Sequence, residues 1–161
     1  MPMPCYLSLT GDKQGKIEGS CDVRGHEGKI LVQAMKLRVE LPKNEQTGAP
    51  SSVRRHVGMS IVKEIDKSSP KLFQALCSGE QMSEVLLEFW RFTPGGTEEK
   101  YYTIKLQNAA VFEAEDWVPN VLLPENGKMG HMESIGLSYQ KIVWTWIKDG
   151  IESEDSWTAP R

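Results

Sequence analysis

The stretch Asp66-Lys-Ser-Ser-Pro-Lys-Leu-Phe-Gln-Ala-Leu-Cys-Ser-Gly79 decides the fold, because it is the one clear helix signal in a chain that otherwise reads as strand. Ser69 offers an N-cap, and Pro70 follows at the first helical position, where a missing N–H costs nothing. Gly79 supplies the stop. Leu72, Phe73, Leu76 and Cys77 then fall on one apolar stripe, with Cys77 expected as a small buried hydrophobe. A helix over about 70–78 is too short to stand alone, so it must lie against a sheet.

Outward from the helix, the sequence supplies that sheet. Upstream, Val57, Met59, Ile61 and Ile65 alternate as one face of a strand. The run from Lys29 to Leu41 reads as one long strand, with Leu31, Met35, Leu37, Val39 and Leu41 on one face. Ile30, Val32 and Ala34 make its first half apolar on both sides, the pattern of a strand covered on two faces. Cys5 to Thr10 is a first strand ending at Gly11-Asp12, and a short strand is expected within 16–26. Downstream, Val85 to Phe92 and Lys100 to Leu106 flank Thr93-Pro-Gly-Gly-Thr97, the hairpin signal of the chain. Residues 108–118 extend that strand, and 119–130 form a polar-flanked loop. From Met132 to Ile147 the apolar phase slips from odd positions (Ile135, Leu137, Tyr139) to even ones (Ile142, Trp144, Trp146). A one-residue slip in a period of two predicts a β-bulge near Gln140-Lys141. The tail, about 148–161, is polar apart from Ile151 and Trp157; it either docks through Trp157 or frays.

The whole is expected to be one domain over 1–161. It is mostly β: a compact β-barrel of two packed antiparallel sheets, with one short flanking α-helix and a long extended loop over about 42–56. That loop is longer than most connections within a domain, and loops of this length are functional or disordered. Lys43, Arg54 and Arg55 make it a basic arm on a chain of net charge −3. With Glu45 and His56 they are the candidate residues for contact with another copy.

Composition excludes several classes. A pI near 5.7 argues against a general nucleic-acid or anionic-membrane binder. The first residues carry no basic and apolar signal-peptide pattern, and no run is long enough to span a membrane, so folding in the cytoplasm and export by a route without a cleaved signal are expected. Cys5, Cys21 and Cys77 form no C-x-x-C pair, which leaves neither a disulfide framework nor a thiolate zinc site. No metal and no cofactor is expected.

Catalytic chemistry is poorly written. His26, His56 and His131 lack ligand spacing, and only His131 and Glu133 share a strand face closely enough to cooperate. His26 and His131 otherwise read as turn or surface residues. Phosphate loops, nucleophile elbows and dinucleotide fingerprints are missing. Five tryptophans suggest a carbohydrate platform, but Trp90, Trp144 and Trp146 sit in apolar strands and read as core, with an interface second. Strands apolar on both faces, with one helix to cover them, raise self-association instead.

Four stretches carry a family resemblance: Tyr6-Leu-Ser-Leu-Thr-Gly11; Gly25-His-Glu-Gly-Lys-Ile-Leu-Val32; the block from Asp66 to Gly79; and Glu133-Ser-Ile-Gly-Leu-Ser-Tyr-Gln-Lys-Ile-Val-Trp144. In this order they resemble the haemolysin-coregulated proteins, the Hcp family, of the bacterial type VI secretion system. The resemblance implies a structural protein and not an enzyme: a tube subunit that forms homohexameric rings, which stack, leave the cell and carry small effector proteins in the lumen. Its implied partners are itself, the spike protein at the tube tip and the contractile sheath, with neither nucleic acid nor membrane insertion. It also implies that loop 42–56 reaches a neighbouring subunit or ring. A tail-tube protein of a phage-like contractile particle is the related alternative; an enzyme using His131 and Glu133, or a tryptophan-based sugar-binding module, is the unrelated one.

Overall fold

The computed structural model describes residues 3–160. Ten strands and one α-helix follow one another as β1 (Cys5–Gly11), β2 (Gly15–Ile17), β3 (Ile30–Val32), β4 (Ala34–Glu40), β5 (Arg55–Glu64), α1 (Ser69–Ser78), β6 (Gln81–Phe92), β7 (Glu98–Trp117), β8 (Met132–Ser138), β9 (Lys141–Trp146) and β10 (Ile151–Ser156). The fold is mostly β, as the alternation predicts, but the strands make one antiparallel sheet instead of two packed ones. The order runs β2-β1-β6-β7-β8-β5-β4, with β3 beside β1, and β9 between β7 and β10. The ladder does not close. Its two ends are joined covalently instead, because β3 pairs with β1 and β4 pairs with β5, with Gln33 alone between them.

This joint corrects the single strand expected over 29–41. At Gln33 the backbone N–H turns to the Val62 carbonyl at 2.8 Å and the chain changes partner. Leu31 is consequently exposed, and the first half of the run is not covered on both sides. A second correction lies on β5. Gly58 has φ +99°, a conformation that favours glycine, and the register with β4 shifts there, so Val57 is left outside while His56 is buried. Simple alternation places Val57 with Met59; the bulge reverses it.

The slip expected near Gln140 falls where predicted, but as a break between two strands. β8 and β9 pair with successive parts of the 20-residue β7, and across from the break Asn108 takes a left-handed φ of 49°. The tail forms β10, paired along β9 from Ile151↔Trp146 to Ser156↔Lys141.

The helix begins with Ser69 inside it and Ser68 at the N-cap position, without a side-chain cap bond; Gly79 ends it at φ 69°. Leu72 and Ala75 are buried in the core cluster, Leu76 packs against it, and the helix lies on β7. Cys77 is exposed, not buried. The buried stripe is therefore i, i+3, i+4 from Leu72, one position short of the one the sequence suggests. The core it covers draws on Leu7 and Leu9 of β1, Met59 and Ile61 of β5, Val85 and Leu87 of β6, Leu106 of β7 and Ile135 and Leu137 of β8.

Candidate functional site

The candidate residues of the long loop divide between its tip and its base. Lys43 and Glu45 are exposed near the tip, where a bridge between Lys43 and Pro50 and the bonds of the Asn44 side chain to the Gln46 and Thr47 amides (2.9 and 3.1 Å) shape a small hairpin. Arg55 and His56 belong to β5 and not to the loop. Arg55 pairs with Glu40, which also takes Arg38; the two guanidinium groups hold the Glu40 carboxyl below its ordinary range.

Arg54 and His56 face the protein's own tail. The Arg54 guanidinium donates to both oxygens of Asp155, at 2.5 and 2.8 Å, and to the carbonyls of Ser156 (3.0 Å) and Ala159 (2.9 Å). His56 is buried, with Nδ1 2.7 Å from the Tyr139 hydroxyl and Nε2 2.7 Å from Asp155. Trp157 stacks on His56 and meets Tyr139 edge-on. The bonds from Arg54 and His56 pull the Asp155 pKa down to about 2, whereas burial and the Asp155 charge push Tyr139 up to about 12. Though His, Asp and Tyr meet here, the groups are fully engaged with one another, which is the arrangement of a clasp and leaves no nucleophile aimed at a cavity.

At the other end of β5 sits a second polar cluster. Lys63 is 1% exposed and donates to the Glu64 carbonyl, Asp66 and Ser69, all within 3.1 Å. Asp66 also accepts the Ser20 and Ser68 amides, while Ser69 Oγ accepts the Asp66 amide. The serines of the helix start thus tie down the turn between β5 and α1. Glu133 is fully buried 3.4 Å from Lys63, and among the described residues neither of its oxygens accepts a hydrogen bond. Burial raises its pKa; Ser69 and Lys63 oppose the rise and Asp116 adds to it. His131, by contrast, is exposed, so the structure separates the pair that would have served an enzyme.

The third cluster corrects the placement of His26, which is buried and not a surface residue. Its ring lies flat on Tyr6 at 3.9 Å, meets Trp90 edge-on and bonds Glu98 at 3.0 Å. Beneath it, buried Glu88 receives Lys29 twice, at 3.1 and 3.2 Å, and the Trp90 indole N–H at 3.2 Å. Trp90 and Trp144 are half-buried, Trp144 against the core, so neither makes an exposed sugar platform. Among the described residues no group of three or more His, Cys, Asp or Glu is placed to hold a metal ion, and no helix is long and apolar enough to cross a membrane.

What remains exposed is suited to protein contact. Among the described residues the outer strand β4 pairs only with β5, and the loop after β7 presents Val118, Val121 and Leu122, the last two more than 80% exposed. Unpaired edges and exposed aliphatics are what a self-associating β protein carries.

The sequence profile of the family described as "Type VI secretion system effector, Hcp" matches residues 6–146. The chain belongs to the Hcp family. It is 36% identical to the "Major exported protein" of Pseudomonas aeruginosa strain PAO1, over 99% of this chain and 98% of that protein. A crystal structure of an Hcp protein superposes with a TM-score of 0.90 at 28% identity, covering 99% and 100% of the two chains. The Hcp1 protein from E. coli EAEC 042 gives 0.86 at 31% identity over 97% and 99%. Hcp proteins are secreted tube components of the type VI system and not enzymes, which agrees with a set of polar clusters turned inward. Part of the resemblance falls in these clusters: Tyr6, His26 and Lys29 in one, and Asp66, Ser69 and Glu133 in another, while their partners Glu88, Trp90, Glu98 and Lys63 lie outside the matching stretches.

Proposed function

We propose that this Hcp protein works as a ring: six copies close around a channel, rings stack into the inner tube of a type VI secretion system, and the tube is driven out by a contractile sheath with a spike protein at its tip. Small effector proteins travel in the lumen. On this reading the chain folds in the cytoplasm, assembles there and leaves without a cleaved signal. The end-to-end match to Hcp proteins carries the proposal. The bare β4 edge and the aliphatic loop after β7 support it, since both need a partner.

Lys43, Glu45, Arg54, Arg55 and His56 remain the proposed contact region between copies. Lys43 and Glu45 meet the neighbour directly at the loop tip, Arg55 stands beside Glu40 at the start of β5, and Arg54 and His56 hold the loop base. Negative-stain microscopy of the purified chain is expected to show rings; a strictly monomeric particle at high concentration overturns the reading. Reversing both tip charges, Lys43→Glu with Glu45→Lys, is expected to reduce stacked tubes while leaving the monomer fold intact by circular dichroism. Unchanged tube length in that variant removes the loop tip from the contact.

A further inference from the structure

The loop over 42–54 has little to hold it. Its tip is closed on itself by Asn44 and the Lys43–Pro50 bridge, and nearly all of its residues are exposed. Among the described residues, the hydrogen bonds and ion pairs that link 42–54 to the rest of the chain all come from Arg54. All four of those bonds end on the tail: two on Asp155, one on the Ser156 carbonyl and one on the Ala159 carbonyl. The tail in turn is lightly held. Among the described residues β10 is exposed over its first four positions and pairs only with β9; within that hairpin Lys141 meets Glu154 at 2.8 Å and Thr145 donates to Glu152 at 3.0 Å, and beyond it the tail is held by Asp155 on His56, by Trp157 on His56 and Tyr139, and by the bonds of the Trp157 backbone N–H and Ser156 Oγ to the Gln140 carbonyl at 2.8 and 3.1 Å.

We infer that the C-terminal segment 151–160 is a strap that sets the direction of loop 42–54, with Arg54 as the positioning residue between them. A forked guanidinium on a carboxylate and two carbonyls fixes a direction as well as a distance, which a lysine cannot reproduce. Because each segment is ordered partly by the other, the coupling is reciprocal: whatever displaces the strap frees the loop, and whatever grips the loop steadies the strap. Asp155 stays ionised well below neutral pH, so the strap is closed under ordinary conditions. In the proposed tube, a partner that lifted β10 off β9 would therefore also release the loop. That consequence rests on the ring reading; the coupling itself does not.

Hydrogen exchange followed by mass spectrometry on the full chain tests it. Asp155→Asn is expected to raise exchange at least tenfold in peptides covering 43–53 and in the tail, with β6 and β7 unchanged. Glu152→Ala removes the acceptor of the Thr145 Oγ1 bond in the same β9–β10 hairpin (3.0 Å) without touching Arg54, and it is expected to leave the loop as it was. Loop exchange that stays at the parent rate in Asp155→Asn overturns the inference, and so does acceleration shared equally by β6 and β7. Should Asp155→Asn fail to fold, Arg54→Lys, which keeps the charge and loses the fork, carries the same expectation and the same refutation. Ring yield measured alongside separates the two ideas: a loosened loop with rings and tubes intact leaves the strap standing and removes the loop from assembly.

Discussion

Strand β5 carries a polar cluster at each end, and the two solve opposite problems. At its C-terminal end Lys63, Ser69 and Glu133 are buried and Asp66 is half-buried, and Glu133 accepts no hydrogen bond among the described residues. At its N-terminal end Arg54, His56, Tyr139 and Asp155 sit at the margin, where every charged group has a partner within 3 Å. The interior cluster joins β5, β8 and the start of α1. The marginal one joins a loop to a tail. Burial governs Glu133 and hydrogen bonding governs Asp155, and their shifts record it: Glu133 is raised and Asp155 is lowered to about 2, while Asp66 beside Lys63, against the cost of burial, is lowered by its bonds from Ser68 and Lys63. The lesson is that a buried charge pair joins elements of the sheet, whereas a bonded one at the margin sets how an exposed loop and tail sit.

The sharpest way to break this contrast is to remove a partner inside. Lys63→Met strips the ammonium from Asp66, Ser69 and Glu133 while keeping its volume. Loss of one member of a buried pair costs about 3–5 kcal/mol, and the loss should be read in the global urea transition. A variant within 1 kcal/mol of the parent, on the scale of about 0.5–3 kcal/mol for ordinary substitutions, would show that the interior cluster is incidental to the fold.

At the margin, Trp157→Ala removes one stacked and one edge-on aromatic contact, worth about 1 kcal/mol on the usual scale for such pairs. The effect should be local: faster exchange and proteolysis in 151–160, with little movement of the global midpoint. A full-sized global loss would place Trp157 in the core and erase the distinction between the two ends.

Much of this arrangement was legible beforehand, and the limits are physical. Alternation gave the strands, and the Pro-Gly-Gly hairpin and Gly79 stop gave two firm boundaries, because these signals are local. Local signals do not record a change of partner, which is why the break at Gln33 and the bulge at Gly58 escaped and the faces of Leu31 and Val57 were reversed. Cys77 escaped because the sequence shows a stripe but not its rotation against β7. The loop residues stand out in the sequence by their charge, but charge alone does not show that Arg54 is taken up by Asp155, 101 residues away. The near-absence of apolar residues in 148–156 hid a strand held by its backbone ladder and by Trp157. His26 reads as a turn residue until Tyr6 and Trp90 close over it.

The finest test of the contrast uses pH, because the two carboxylates predict slopes of opposite sign. Glu133 has a folded pKa above its ordinary 4.5, so the folded chain binds the proton more tightly than the unfolded one. Its contribution is therefore most favourable below that value and is lost as pH rises through the raised one. Asp155 is the reverse. Its folded pKa of about 2 lies below its ordinary 3.8, so its contribution is complete above 3.8 and disappears as pH falls toward 2. Denaturation midpoints followed from pH 2.5 to 7 should separate them. Glu133→Gln is expected to gain on the parent as pH rises above 4.5, and Asp155→Asn to approach the parent as pH falls below 3.8. If Glu133→Gln instead tracks the parent at every pH, the ammonium of Lys63 fully offsets the burial of Glu133, and the interior pair is as well matched as the one at the margin.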